Sequence, residues 1–242
     1  MSRMIDLHCH FLPGVDDGAP TLAHAIDLAR AAVADGIVAA LMTPHVHPGR
    51  YDNRIVSLQD DLHRFKTALR DENVALEIYL GGEIRFSFES FEWILQGEVP
   101  FMGEVDGFRI LLLEFPHQTI PVGSIQLVEK LIALRIRPMI AHPERNKMVM
   151  LEPERLGPFL DAGCWLQLTA GSLTGRFGPQ VRSIAELIIR NGWAHILATD
   201  AHNLIHRPPY LAEGRAAVAD LLGEKMAEVM VFERPAQILG RL

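Results

Sequence analysis

Histidines and carboxylates recur in this sequence where short apolar runs end. His8 and His10 follow the run Arg3 to Leu7, and Asp17 lies in the next loop. His45 follows Ile37 to Thr43, Glu83 follows Ala75 to Leu80, and Glu114 closes Phe108 to Glu114. His142 follows Pro138 to Ala141, and Asp200 and His202 follow His195 to Thr199. These five histidines and four carboxylates offer nitrogen and oxygen donors, the set that suits Zn, Fe or Mn rather than a thiolate site. They exceed what one ion needs, so two or three ions are expected. Residues two apart on an extended chain share a face, so His8 and His10 can bind one ion while Cys9 points away.

Each residue also has a plainer reading. His-x-His occurs by chance in surface loops, and Asp16-Asp17-Gly18 taken alone reads as a turn. Glu83 and Glu114 end apolar runs, where an unpaired carboxylate is costly to desolvate, and a salt bridge is the alternative. Asp200 could cap a helix, leaving His202 in solvent. Jointly, the plain readings need many coincidences. Arg145 and Arg207 lie just past ligand-bearing strand ends, where a guanidinium can grip phosphate bidentately or simply be solvated. His24 and His63 fall in helical stretches and read as surface. His47, His117, His195 and His206 either line the mouth of a site or serve packing and solvent.

The elements that must position these groups alternate regularly. Leu22, Ala25, Ile26, Ala29, Ala32 and Val33 recur at helical spacing until Gly36, and the strand Ile37 to Thr43 follows. Further helices are expected at Arg54 to Asp71, Phe88 to Gln96, Ser124 to Leu134, Pro153 to Ala162 and Val181 to Arg190. They alternate with the strands already named and with Trp165 to Thr169, whose end alone lacks an evident ligand. The result is seven β/α cycles. Strands such as Ile110 to Leu113 are continuous apolar runs, as when helices cover both faces of a parallel sheet. The sheet is either open or closed into a barrel, and barrels place their active sites at the C-terminal ends of the strands. No linker or repeat divides the 242 residues, so one domain over 1–242 is expected, its final ~30 residues being helices packed over the outside.

A formal charge of −7 argues against a nucleic-acid or membrane surface as the main partner. The absence of a signal-peptide pattern, of an apolar run near the ~18 residues of a membrane span, and of more than two cysteines fits a soluble cytoplasmic protein. Cysteine-based phosphate transfer needs Cys-x5-Arg, but Val15 and Ala170 occupy the arginine positions after Cys9 and Cys164. Nucleotide-loop, dinucleotide and H-E-x-x-H motifs are missing too.

The motifs His-x-His, Asp-Asp-Gly, Thr-Pro-His, Gly-Gly-Glu, Leu-Glu-Phe, Ala-His-Pro-Glu-Arg and Thr-Asp-Ala-His-Asn together resemble the polymerase and histidinol phosphatase (PHP) superfamily from Ile5 to about Pro209. Within it the chain is most similar to the bacterial capsule-regulating, metal-dependent tyrosine phosphatases of the CpsB/CapC/YwqE-like branch. That resemblance implies a distorted seven-stranded TIM-like (β/α)7 barrel with three divalent ions, manganese first and iron or zinc as alternatives. His8, His10, Glu83 and Asp200 would hold the first ion. Glu83 would bridge to a second, completed by Glu114 and His142, and Asp17, His45 and His202 would hold the third. The three ions would outweigh the four carboxylates, leaving a local positive excess that, with Arg145 and Arg207, attracts phosphate to an acidic chain. The implied reaction is in-line attack on phosphorus by metal-activated hydroxide, without a covalent phospho-enzyme, with Asp200 or a metal assisting the leaving group. The implied partner is a phosphotyrosine protein, the tail of a bacterial tyrosine kinase governing capsule or exopolysaccharide assembly. The rival enzymatic reading is a histidinol-phosphate or other small phosphomonoester phosphatase. A metal-containing scaffold that binds phosphotyrosine without turnover is the non-enzymatic one.

Overall fold

The computed structural model describes residues 3–241; Met1, Ser2 and Leu242, at the ends of the expected domain, lie outside the described residues. Ten strands form in chain order: β1 (Met4–Cys9), β2 (Ile37–Met42), β3 (His45–Val46), β4 (Glu77–Leu80), β5 (Glu83–Arg85), β6 (Gly103–Val105), β7 (Phe108–Glu114), β8 (Ile136–Ala141), β9 (Trp165–Thr169) and β10 (Ile196–Ala198). Strands β1, β2 and β4 make one sheet, in the spatial order β1-β2-β4. The other runs β10-β9-β8-β7-β5-β3, with β6 beside β7. All pairings are parallel except β6 with β7, a short hairpin the periodicity does not reveal.

Two of the expected strands are broken in the middle, and both breaks serve the site. β2 gives way to β3 across Thr43-Pro44, where proline has no N–H to donate. β4 gives way to β5 across Gly81-Gly82. A Cβ on Gly81 would lie 2.8 Å from Leu41 Cδ2, and one on Gly82 would lie 2.9 Å from Pro100 Cγ, so a side chain at either would force its neighbours to shift. The broken strands thus start in one sheet and continue in the other. At the other side β1 meets the end of β10: Asp200 N donates to His8 O at 2.8 Å and His10 N to Ala201 O at 2.9 Å.

Strand alternation divides the apolar residues into two clusters. Ala40, Met42, Ile78, Leu111, Leu113, Ile140, Leu166 and Leu168 pack against the helices α1 (Leu22–Asp35), α2 (Ile55–Asp71) and α4 (Ser124–Ala133), with α3 (Phe88–Leu95) adding Ile94. Ile5, Leu7, Ala39, Leu41, Ile110, Leu112, Met139 and Ile196 form a second cluster between the sheets. The pairing of β1 with β2 carries an extra residue between Asp6 and Cys9. Such an irregularity resets the in-out alternation, so Leu7 joins the inner cluster and Cys9 the helix-side one, while His8 and His10 reach the mouth.

Two expectations need correction. The helix expected over Pro153 to Ala162 is a 3-10 turn, Pro153–Leu156, followed by one short helix, Gly157–Asp161, because Pro158 has no N–H to continue a ladder. The C-terminal segment is helical as expected. It does not pack only over the outside, however: Ala236 and Ile238 complete the inner cluster, and Ile238 O passes so near Gly103 that no side chain fits there. Among the described residues no helix is long and apolar enough to cross a membrane.

His195 precedes β10, at the opposite end of the strand from Asp200, and its ring stacks on Trp165 at 5.3 Å. Burial, with Arg234 and Arg137 nearby, lowers its pKa to about 4. The unfolded chain therefore takes up this proton first. Stability from His195 is full above its ordinary pKa of 6.5 and declines as pH falls towards 4, by about 3 kcal/mol at most. In denaturant titrations across that window, His195→Gln should flatten the pH dependence relative to the unsubstituted protein; an unchanged slope would refute this account.

Candidate metal centre

All nine sequence-predicted donors converge on the mouth formed by the strand ends. His8 Nε2 lies 3.2 Å from His10 Nε2, 3.4 Å from Glu83 Oε2 and 3.3 Å from Asp200 Oδ1. His10 Nε2 is 3.5 Å from Glu83 Oε2 and 3.4 Å from Asp200 Oδ1. Donors about 2.1 Å from one ion at tetrahedral angles lie about 3.4 Å apart, and His8 Nε2, His10 Nε2 and Asp200 Oδ1 have that spacing, with Glu83 Oε2 meeting the same two imidazoles. Three further groups of donors share members with this one: His8, Glu83 and His142; His45, Glu83 and Glu114; and His10, Asp17, His45 and His202. Glu83 is the hub, with Oε1 2.7 Å from His142 Nε2 and Oε2 2.9 Å from His45 Nδ1.

The buried atoms left without hydrogen bonds test whether divalent ions fit. Glu83 Oε2, Asp200 Oδ1 and His202 Nε2 are buried and unpartnered, and all three face this cluster. Buried carboxylate oxygens that face only imidazole nitrogens, with no hydrogen bond made, are atoms that a divalent cation would satisfy. Burial opposes ionisation of Glu83, Asp200 and Asp16, yet the neighbouring histidines and arginines overcome it and hold all three below the usual carboxylate range, Asp16 at about 2. Hydrogen bonds from His202 and His45 do the same for Asp17. Burial and Arg145 push His142 down to about 3, and burial and His10 push His202 down to about 4. Ionised carboxylates and neutral imidazoles are the forms that bind metal. Against burial, neighbouring carboxylates raise His10 and His45, the latter to about 10, and burial raises Glu114, so an ion would displace protons from these three.

A second layer aims the histidines. Asp16 Oδ2 lies 2.7 Å from His10 Nδ1 and also accepts from His45 N at 2.9 Å, while Asp16 Oδ1 accepts from Gly18 N at 2.9 Å. Gln167 Oε1 is 2.8 Å from His8 Nδ1 and accepts from His142 N at 3.3 Å. His202 Nδ1 is held by Asp200 O at 3.0 Å. With Nδ1 engaged in each, Nε2 faces the cluster. Asp16 is therefore more than a turn residue, and β9, the expected strand whose end lacks a ligand, supplies an orienting amide instead. Asp6 is a further buried group that sequence reasoning missed; it accepts from Thr199 N at 3.0 Å and His8 N at 3.2 Å, tying β1 to the segment that carries Asp200. Asp-Asp-Gly contained a clue to Asp16, but only the fold shows that it turns towards His10 while Asp17 faces His45. Gly18 is required because a Cβ there would sit 2.1 Å from His10 O.

Arg145 and Arg207 both donate through Nη2 to Asp200 Oδ2, although they come from different segments. Arg145 is buried rather than solvated, with Phe177 5.0 Å below its guanidinium. Arg85, not singled out from sequence, donates to Glu114 at 2.8 Å. His142 and Asp200 both adopt left-handed backbone, φ 32° and 52°, a strain of the kind that concentrates at functional sites. A cavity of about 180 Å3 opens over the cluster, lined by Asp17, His45, Glu114 and His142 from the donor set and by Arg50, Arg85, Arg145 and Arg207. His47 and His117 line it as well, whereas His195 does not and His24, His63 and His206 are exposed.

An α/β protein whose parallel strand ends gather imidazoles, carboxylates and guanidinium groups in one cavity is equipped for metal-assisted chemistry on an anionic substrate. The family described as "Capsular polysaccharide synthesis, CpsB/CapC" matches residues 4–240, and the chain belongs to it. The putative tyrosine-protein phosphatase CapC of Staphylococcus aureus is 35% identical, over 85% of this chain and 79% of its own length. The tyrosine-protein phosphatase YwqE of Bacillus subtilis is 34% identical, over 98% of this chain and 97% of its own. A crystal structure from a study of YwqE and of CpsB from Streptococcus pneumoniae, described as metal-dependent tyrosine phosphatases, superposes with a TM-score of 0.91 at 32% identity, covering 98% of this chain and 95% of that one. The phosphotriesterase of Mycobacterium tuberculosis shares the fold alone, with a TM-score of 0.58 at 13% identity over 99% of this chain and 94% of its own.

Replacing Asp16 by Asn keeps the shape but removes the charge that fixes His10. Metal affinity, measured by chelator competition, should fall about 10–100-fold. Affinity within two-fold of the unsubstituted protein would show that Asp16 does not orient the ligand.

Proposed function

We propose that the protein is a metal-dependent protein-tyrosine phosphatase that hydrolyses phosphotyrosine on a protein partner, the tail of a bacterial tyrosine kinase governing capsule or exopolysaccharide synthesis. The observation that carries this reading is the cluster of nine donors around Glu83, beside two arginines on Asp200, in a chain of the CpsB/CapC family. The two sheets are best understood as one distorted seven-stranded barrel, broken where β2 and β4 change sheets, and residues 1–242 as one PHP-type domain. The free buried thiols of Cys9 and Cys164 suit a reducing cytoplasm.

In this reading three divalent ions, manganese first and iron or zinc as alternatives, are held as follows. His8, His10, Glu83 and Asp200 take one, Glu83, Glu114 and His142 a second, and Asp17, His45 and His202 the third. When bound, such ions lower the pKa of water towards neutrality and neutralise charge on a reacting phosphoryl group. The chain's own contribution is positional. Asp200 offers Oδ1 to the metal cluster and uses Oδ2 to hold Arg145 and Arg207, which line the cavity and would donate to equatorial phosphoryl oxygens. Asp200 so assists catalysis by fixing two arginines. A tyrosyl leaving group, with pKa about 10 when free, needs less protonation than an alkyl alcohol.

Elemental analysis of protein purified without added metal, coupled to phosphotyrosyl-peptide turnover, tests the reading. His8→Ala with His10→Ala should abolish both metal retention and turnover, and Arg207→Ala should lower kcat/KM about 10²–10³-fold with metal retained. Metal content and turnover that survive the double substitution would refute the site. A clear preference for histidinol phosphate would favour the small-phosphomonoester reading, and metal-loaded protein with no turnover would favour the scaffold.

A further inference from the structure

The segment after His45 is unlike the other walls of the cavity. His47 to Tyr51 closes on itself: His47 N donates to Tyr51 O at 2.9 Å, Tyr51 N to His47 O at 2.8 Å, and Arg50 N to His47 O at 2.9 Å. Gly49 supplies the left-handed residue the turn needs, φ 78°, and its N–H donates to Asp52 Oδ1 at 2.8 Å. The hairpin continues directly from β3, which carries His45, and the Tyr51 ring lies parallel to the His45 imidazole at 5.6 Å. Tyr51 and Arg50 are therefore presented to the cavity in fixed positions relative to the metal donors.

Four arginines line the cavity, and three are committed: Arg145 and Arg207 to Asp200, and Arg85 to Glu114. Arg50 is exposed and, among the described residues, has no carboxylate within 4.0 Å; its guanidinium lies 5.1 Å from the Tyr51 ring centroid. The cavity, about 180 Å3, is little larger than the roughly 150 Å3 that accommodates one benzene. It admits a side chain, not a folded segment, so the rest of a protein substrate must lie across the mouth, where Arg50 stands.

We propose that the His47–Tyr51 hairpin reads the ester beyond its phosphate: Tyr51 forms the wall against which the leaving aryl ring packs, and Arg50 pairs with an acidic residue beside the phosphorylated one. An aromatic wall favours an aryl over an alkyl leaving group through ring contact. An uncommitted guanidinium at the rim adds a charge-assisted bond to a neighbouring carboxylate. The inference rests on the phosphotyrosyl reading and names the residues that make it selective.

The test compares kcat/KM ratios, in which intrinsic leaving-group reactivity cancels between variant and unsubstituted protein. Two peptides are used, phosphotyrosyl with an acidic or a neutral neighbour, together with phenyl phosphate and phosphoserine. Arg50→Ala should lower the acidic-over-neutral ratio about ten-fold, with the change in KM rather than kcat, and Arg50→Lys should restore part of it. Tyr51→Ala should lower the phenyl-phosphate-over-phosphoserine ratio several-fold, and Tyr51→Phe should retain it. Ratios unchanged in both alanine variants, while the unsubstituted protein still turns over the peptides, would overturn the hairpin's role and leave the phosphotyrosyl reading standing. If the unsubstituted protein preferred phosphoserine to both peptides, the phosphotyrosyl reading would fall and this inference with it.

Discussion

A carboxylate with almost no access to water must find its partners inside the protein, and Glu83 imposes that condition on everything around it. Its exposure is 1%. An isolated charge so placed is costly by several kcal/mol, and four imidazoles, those of His8, His10, His45 and His142, approach it from three different strand ends. The requirement explains the broken strands. Without the Gly81-Gly82 crossing Glu83 would not enter the second sheet beside Leu112, and without Thr43-Pro44 His45 would not pair with it. The irregularity in β1 does the same for the His8 and His10 pair. One departure from regular sheet geometry places the carboxylate, and the other two bring His45 and the His8–His10 pair to it.

Around this hub the polar groups are arranged so that few can turn. Asp16 serves His10 and the backbone of His45 at once, Gln167 serves His8 and the backbone of His142, and Asp6 ties β1 to Thr199. Shared acceptors of this kind couple strands that are not neighbours in sequence, so the donors are fixed by the fold before any ion or substrate arrives. Glu144 extends the principle outward: it accepts from Thr169 N at 3.0 Å and Ser172 Oγ at 2.7 Å, anchoring the turn that carries Arg145.

The sequence shows the donor set because metal ligands fall where apolar runs end, a pattern visible without the fold. Regular β/α alternation was equally legible, since buried parallel strands leave continuous apolar runs and helices leave a period of three and four. What stayed hidden was long-range or irregular. Gln167 is an unremarkable polar residue until β9 lies beside β8 and its side chain reaches His8 and the backbone of His142. Asp17 is legible as a donor through the family motif, but the adjacent Asp16 reads as a turn, and only packing aims it at His10 while Asp17 meets His45 and His202. Arg85 follows Glu83 by two residues, but its partner Glu114 is on another strand. The β6 hairpin and the entry of Ile238 into the inner cluster depend on close approach at Gly103, a feature of space rather than of periodicity.

The inner cluster also has a consequence for traffic. Ile5, Leu7, Leu41, Leu112 and Ala141 fill the space beneath the donors, and Ala236 and Ile238 extend that filling, so the cavity is blind-ended. Whatever enters must leave by the same opening. In the proposed reaction the substrate and both hydrolysis products would share that opening, so both products would have to clear it before the next phosphoryl group could enter.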